Sequence, residues 1–201
     1  MILDTLHRID QAVTLFLNSL STPFSDEFWQ LVTTSEVWYP LYLLIVVFLF
    51  VRLGWKKALV VILSIALCIA CCDQLANLVK YSVGRLRPSY SYEMVFGKVN
   101  VLEHRGSFFG FFSAHAANAF SLTVCTVLGF RHDRKHSYRA FQIWVLAWAA
   151  LVAVSRIFVG KHYLGDVLVG TMVGIAVGYS LGKLASAVIR RWVRESPAPS
   201  S

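Results

Sequence analysis

Charge is what this chain of 201 residues has least of: 15% of positions are Asp, Glu, Lys or Arg, 57% are hydrophobic, and the mean hydropathy is +0.60. A soluble domain carries about a quarter charged residues, so these figures exclude one and predict an integral membrane protein. Cysteine is sparse too. Cys68, Cys71 and Cys72 share one apolar run and Cys125 sits in another, with no histidine spaced to complete a metal site, so they read as buried, unpaired thiols. The amino-terminal stretch holds Asp4 and Asp10 where a signal peptide has a basic start and an unbroken apolar core, so cleavage is not expected. Neither an Asp/Glu cluster for magnesium nor a glycine-rich lysine loop for a nucleotide is present, and no cofactor or metal is expected. The duplicated halves of many transporters are also missing. At about 20 apolar residues per crossing, the length holds five or six spans and no second domain.

What is present is a pattern of apolar runs and basic punctuation. The runs fall at 37–53, 58–79, 114–130, 141–159 and 167–189, each close to bilayer length. The net charge of +8 is gathered at their ends and not along one face, which argues for topology and anionic lipid and against nucleic acid. RLGWKK (52–57), RHDRKHSYR (131–139) and RRWVR (190–194) are short and basic, so positive-inside counting places them, with a tail over 190–201, in the cytoplasm. The segment before Val37, the stretch 80–112 and SRIFVGKHYLGD (155–166) then share the outer side. Ile2, Leu3, Leu6, Ile9, Val13, Phe16, Leu17 and Leu20 recur at helical spacing among Asp4, Arg8, Asp10 and Asn18, which predicts an amphipathic helix lying in the interface. Pro23 breaks it and SDEFWQLVTT forms a second short piece. The expected fold is an all-α polytopic membrane helix bundle, a single domain over 1–201, with interfacial helices over 1–35 and the bundle over 37–189. A six-span arrangement, with the amino-terminal segment crossing, keeps the same sidedness after Trp38.

That topology leaves Lys80, Arg85, Arg87, Lys98, Arg105, Arg156 and Lys161 on the side where cations are not favoured, so something other than insertion placed them. Three constellations stand there. In KYSVGRLRP, a helix persisting through the stretch puts Lys80 and Arg87 on one face, and Pro88 ends it; a snorkelling collar is the plainer alternative. In FFSAHAANAF, Ser113 and His115 open an apolar helix whose capped N-terminus is a ready anion site, or simply a capped end with a histidine at the interface. In SRIFVGKHYLGD, His162 and Asp166 stand four apart, so on a helix the carboxylate holds the imidazole in one tautomer, and Arg156 returns across a turn at Gly160; solvated loop charges are the alternative. Two histidines, an orienting carboxylate, three cations and a helix N-terminus make an inventory for phosphoryl transfer through a phospho-histidine.

Lys80-x6-Arg87-Pro88, Ser113-Ala114-His115 and Ser155-Arg156-x5-His162-x3-Asp166 together resemble the three-part signature of the type 2 phosphatidic acid phosphatase superfamily, the membrane lipid phosphate phosphatases. The resemblance implies that His162 is the nucleophile, that Asp166 orients it, and that His115 protonates the leaving oxygen and later activates water. It implies that Lys80, Arg87, Arg156 and Ser113, with the N–H groups at Ala114, grip the phosphate. Phe112-Ser113-Ala114-His115 departs from the family's frequent Pro-Ser-Gly-His, which bears on loop geometry more than on chemistry. Arg85 and Lys161 lie outside the signature. Arg85 and Lys161 add to the field or bind lipid headgroups, and Lys161 has no assigned role. FFGFF (108–112) and VFG (95–97) either cradle a lipid tail or seat the loop in the interface.

The resemblance further implies a lipid phosphate as partner, no obligate protein partner, and residence in a bacterial inner membrane with the site facing outward. By analogy with small members the expected substrate is undecaprenyl pyrophosphate, with phosphatidylglycerophosphate and lipid A phosphates as alternatives. Two other classes compete: an anion or lipid transporter with a cationic vestibule, which leaves the histidine–aspartate pair unexplained, and a lipid-binding scaffold with a dead site.

Overall fold

The computed structural model describes residues 2–104 and 106–192, without the side chains of Ile2 and Leu3. The expectations placed on Arg105 and on 193–201 of the tail lie outside the described residues. Among the described residues seven α-helices run in chain order: α1 (Ile2–Ser19), α2 (Pro23–Thr33), α3 (Tyr39–Val83), α4 (Tyr92–Phe96), α5 (Ala114–Phe130), α6 (Arg139–Phe158) and α7 (Leu164–Trp192). Thr22 opens α2 through a reciprocal cap: its Oγ1 accepts from the Ser25 N–H (3.2 Å), while Ser25 Oγ accepts from the Thr22 N–H (2.7 Å), with Pro23 in the first turn. Gly54 leaves helical geometry (φ 74°, ψ 163°) and folds α3 into two arms, at the basic connector where the sequence divides two spans. The two arms of α3 with α5, α6 and α7 are the five apolar segments expected.

One boundary differs from expectation. The helix carrying Lys80 stops at Val83, short of Arg87, because Gly84 takes the left-handed conformation (φ 63°) and donates its N–H to the Lys80 carbonyl. Arg87 is therefore extended (φ −66°, ψ 158°) and does not share a helical face with Lys80.

α5 is the central helix, buried along most of its length against α3, α6 and α7. Against it α7 sets Gly170, Gly174, Gly178 and Gly182, one every four residues. A Cβ at Gly174 would stand 2.3 Å from the Ala117 carbonyl oxygen, and one at Gly170 would stand 2.4 Å from that of Ser113. Small residues on successive turns let two backbones touch where lipid supplies no hydrophobic drive. The consequence is positional: the first turn of α7 is pressed against the N-terminus of α5. Leu43, Leu63 and Met172, each more than half exposed, belong to the apolar outer surface such a bundle turns to lipid.

α1 inverts the soluble pattern. Leu6, Ile9 and Phe16 face outward, and Asp10, Thr14 and Asn18, one turn apart, face the protein. Asp10 accepts from the Gly165 N–H (2.8 Å), Thr14 Oγ1 from that of Leu164 (2.9 Å), and Asn18 Nδ2 donates to the Ile157 and Phe158 carbonyls (3.1 and 3.0 Å). α1 thus lies along the turn between α6 and α7. The long connector 97–112 is fastened at several points: Asn100 N–H donates to Asn18 Oδ1, Leu102 N–H to the Val159 carbonyl, and Gly110 N–H to that of Arg85. A short bridge joins Leu86 and Phe109.

Candidate active site

Asp166 is fully buried, and three segments meet on it. Its Oδ1 accepts from Arg85 Nη1 at 2.7 Å, its Oδ2 accepts from the Tyr163 N–H at 3.1 Å and lies 3.4 Å from His162 Nδ1, and its backbone carbonyl accepts from the Ser113 N–H at 3.0 Å. His162 itself precedes α7: it belongs to the turn, and the aspartate reaches back from the first helical turn to meet it. With Nδ1 directed at the carboxylate, Nε2 is the nitrogen left for chemistry. Burial first, and the cations Arg156 and Arg87 after it, push the His162 imidazole down to about 4, while Asp166 pulls the other way. It is neutral near pH 7.

Gly110 shows how tightly this centre is built. A Cβ there would lie 2.9 Å from Arg87 Cγ, 3.4 Å from Asp166 Oδ2 and 3.5 Å from His162 Nδ1, so the connector's backbone passes where no side chain fits. A Cβ at Gly106 would meet Arg87 Nη1 at 3.4 Å and Lys161 Nζ at 3.7 Å, so the tips of these two cations flank one glycine. Arg87 Nε donates to the Phe109 carbonyl (3.2 Å), and burial and the neighbouring Arg156 hold its guanidinium below its ordinary value.

Arg156, buried at the end of α6, donates to Thr33 Oγ1 and to Glu103 Oε1 (2.9 Å), with its second Nη 3.4 Å from Glu103 Oε2. Lys161 is 3.4 Å from the same Oε2 and donates to the His104 carbonyl. Burial opposes the Glu103 charge, yet Arg156 and Lys161 hold its carboxyl below the usual range. The cation without an assigned role therefore fastens the 97–112 connector across the site.

Ser113 caps α5, its Oγ accepting from the Ala116 N–H (3.4 Å). The N–H groups of Ala114 and His115 have no acceptor among the described residues, which leaves a helix start able to take an anion. One turn on, Asn118 Nδ2 donates to Asp73 Oδ1 of α3 (2.9 Å). His115 and Asn118 line an apolar cavity of about 380 Å³ that also touches Thr33 and runs past Trp38, Ile45 and Ile65, between the arms of α3 and α5 and α6. Lys80 lies to one side, in a hollow with Asn77, Tyr81 and 107–109.

Three residues that matter here are not signature positions. Arg85, expected to add to the field or to bind headgroups, instead spans Asp166 and Asp10 (Nη2 to Oδ2, 2.6 Å), with its guanidinium 4.0 Å over the Tyr163 ring. Asp10 in turn ties α1 to this pair. The polar stripe Asp10, Thr14, Asn18 on a greasy helix was the available signal. Glu103 carried none, since nothing in the sequence says which acid of a mixed connector meets Arg156.

The comparisons with known proteins show the family. The PAP2 superfamily model matches residues 57–190. A lipid A 4'-phosphatase of Bacteroides thetaiotaomicron is 33% identical over 199 residues, covering 98% of this chain and 86% of that one. A lipid A 4'-phosphatase of Porphyromonas gingivalis is 30% identical over 190 residues, covering 94% and 78%. The crystal structure of a transmembrane PAP2-type phosphatidylglycerolphosphate phosphatase from Bacillus subtilis superposes with a TM-score of 0.70 at 23% identity, over 94% of this chain and 89% of that one. That of Aquifex aeolicus LpxE gives 0.62 at 23% identity, over 86% and 93%. At such identities the two structures speak for the fold alone. Sequence match, shared helical fold and the gathering of the three motifs at one end of the bundle lead to one conclusion: the chain belongs to the PAP2 superfamily and is a membrane lipid phosphatase.

Proposed function

We propose that this phosphatase removes a phosphomonoester from a lipid A-type glycolipid through a covalent histidine intermediate. His162 Nε2 attacks phosphorus and the bond from phosphorus to the lipid oxygen breaks, with His115 delivering the proton that oxygen needs. Water, giving a proton back to His115, then cleaves the P–N bond and releases phosphate. Asp166 holds Nδ1–H and balances the cation that forms on the imidazole. Arg87, Arg156, Lys80, Ser113 and the N–H groups of Ala114 and His115 receive the phosphoryl oxygens.

The observation that carries this reading is the neutral, carboxylate-held imidazole set among cations beside an apolar cavity at His115: phosphate chemistry and a place for a lipid tail share one wall. The substrate class rests on the two lipid A 4'-phosphatases similar over nearly the whole chain. The expected undecaprenyl pyrophosphate rested on compactness alone and gains nothing from them. α1 lying along the α6–α7 turn supports five spans, and the basic connectors at the far end support a site on the outer face.

The test is phosphate release by the purified full-length protein from lipid A, undecaprenyl pyrophosphate and phosphatidylglycerophosphate, with chelator present, for wild type and His162→Ala. The expected result is a clear preference for lipid A and a loss of about 10⁴-fold or more in His162→Ala, since losing the nucleophile costs nearly the whole catalytic unit. Preference for undecaprenyl pyrophosphate would overturn the substrate, and an active His162→Ala would overturn the mechanism.

A further inference from the structure

At the end of the bundle away from His115 and His162 lies a larger concavity, about 910 Å³. α5 runs 17 residues from the candidate site to this end, about 26 Å of helix, so the two places are distinct. Three elements line it with one sign of charge. Arg52 and Lys57 come from either side of the break at Gly54, Arg131 and Arg134 from the connector between α5 and α6, and Lys183 and Arg190 from the last turns of α7. Leu53, Leu128 and Ile189 form an apolar lining beneath them.

The single acid in the lining, Asp133, is already committed. It accepts from the Tyr138 hydroxyl, from the Lys135 N–H at 2.9 Å, and pairs with His136 at 2.8 Å. The Tyr138 hydrogen bond first, then these others, hold its carboxyl down to about 2. Tyr138 is packed against Phe130 and Phe48, and Phe141 lies against both of those rings, so this arrangement is a packed feature of the fold. Among the described residues Arg131, Arg134 and Arg190 have no carboxylate partner. His132, also in the lining, is held below its ordinary value by burial first and then by Lys57, Arg190 and Arg134.

Cations placed only to orient a membrane chain need no cavity; they serve equally on protruding loops. Here they surround a volume within the range of small-molecule sites, roughly 300–1,000 Å³, with apolar walls below and charge above. We propose that this cavity is a second, non-catalytic site for a phosphate-bearing anion, and that its amphipathic lining suits the headgroup of an anionic lipid. Like charges gathered in one hollow favour an anion, so occupancy ties the α3 break, the α5–α6 connector and the end of α7 together.

The experiment uses the full-length protein in neutral phosphatidylcholine discs doped with phosphatidylglycerol, a phosphodiester that offers no terminal phosphate to hydrolyse. Phosphatidylglycerol retained after extraction is counted by native mass spectrometry. Wild type is compared with a triple variant, Arg131→Gln, Arg134→Gln, Lys183→Gln, and with a charge-matched control outside the cavity, Lys56→Gln, Arg139→Gln, Arg191→Gln. The expected result is retention by wild type and control and a drop of about tenfold or more in the cavity variant. Retention that survives excess inorganic phosphate assigns the site to a lipid headgroup; retention abolished by it assigns the site to the free anion; both uphold an anion site. Equal loss in the two triple variants, or none in either, would overturn it. A monodisperse elution profile establishes that the variants are folded, and the single Lys183→Gln change, on an exposed position of α7, gives the same test with less risk to folding.

Discussion

The two ends of the bundle are both rich in cations, and they treat them differently. Beside the histidines, Arg85 leans on Asp10 and Asp166, and Arg156 and Lys161 lean on Glu103. At the far end cations from three elements face a hollow whose one carboxylate is occupied by Tyr138 and His136. Buried charge persists when paired, and removing one partner strands the other. Paired cations therefore act first on the protein, as positioners. Arg131, Arg134 and Arg190, with no carboxylate partner among the described residues, are open to a ligand. By that criterion Lys80 and Arg87, which have no carboxylate partner among the described residues, are the cations of the candidate site most open to a phosphoryl group.

The largest effect expected from disturbing this contrast comes from Arg85, the positioner that touches no reacting atom. Arg85→Gln leaves Asp166 buried without its strongest partner, at a cost typical of a charged hydrogen bond, so turnover should fall about 10–100-fold with little change in KM. Arg85→Lys retains a charge and should recover part of kcat. A headgroup-binding Arg85 would instead raise KM and leave kcat alone, and steady-state kinetics on the three proteins separates the cases.

A smaller change is expected at Glu103, which pairs with Arg156 and Lys161 beside the proposed phosphate site. Glu103→Gln removes a negative charge that repels the substrate and keeps one oxygen to accept from Arg156. For a partly exposed pair this is worth about two- to fivefold, read as a lower KM. A higher KM with lower kcat would show instead that Glu103 is needed to hold Arg156 in place.

The fold was legible because its signals are local and strong. Apolar runs of bilayer length, interrupted by RLGWKK and RHDRKHSYR, give the five apolar segments, and the spacing of His162 and Asp166 gives their contact. The end of α3 is less legible, since Pro88 is the visible stop in the sequence while Gly84 supplies it four residues earlier. Arg85–Asp10 was out of reach for a different reason. Residues 75 apart meet only because the α7 glycines press its first turn onto α5 and bring the α6–α7 turn under α1, a consequence of packing that no local window contains.

The smallest effect expected is in stability, and it also separates the two ends. His162 titrates near 4 in the folded chain against an ordinary value of 6.5, because burial disfavours its charged form. Between those two values the unfolded chain binds a proton that the folded chain refuses. The contribution of His162 to stability is therefore complete above pH 6.5 and is lost progressively as pH falls toward 4. Glu103, held below its ordinary 4.5, loses its contribution only at lower pH, and the window from 6.5 to 5 lies above it. His132 at the far end is also depressed and contributes with the same sign, but it is present in both proteins when wild type is compared with His162→Gln, so it cancels. The thermal midpoint of wild type should fall relative to the variant by roughly 3–5 °C per pH unit across that window. Parallel midpoint curves would mean that the imidazole is hydrated and free to protonate, and with that the closed, neutral pocket argued for the nucleophile would be gone.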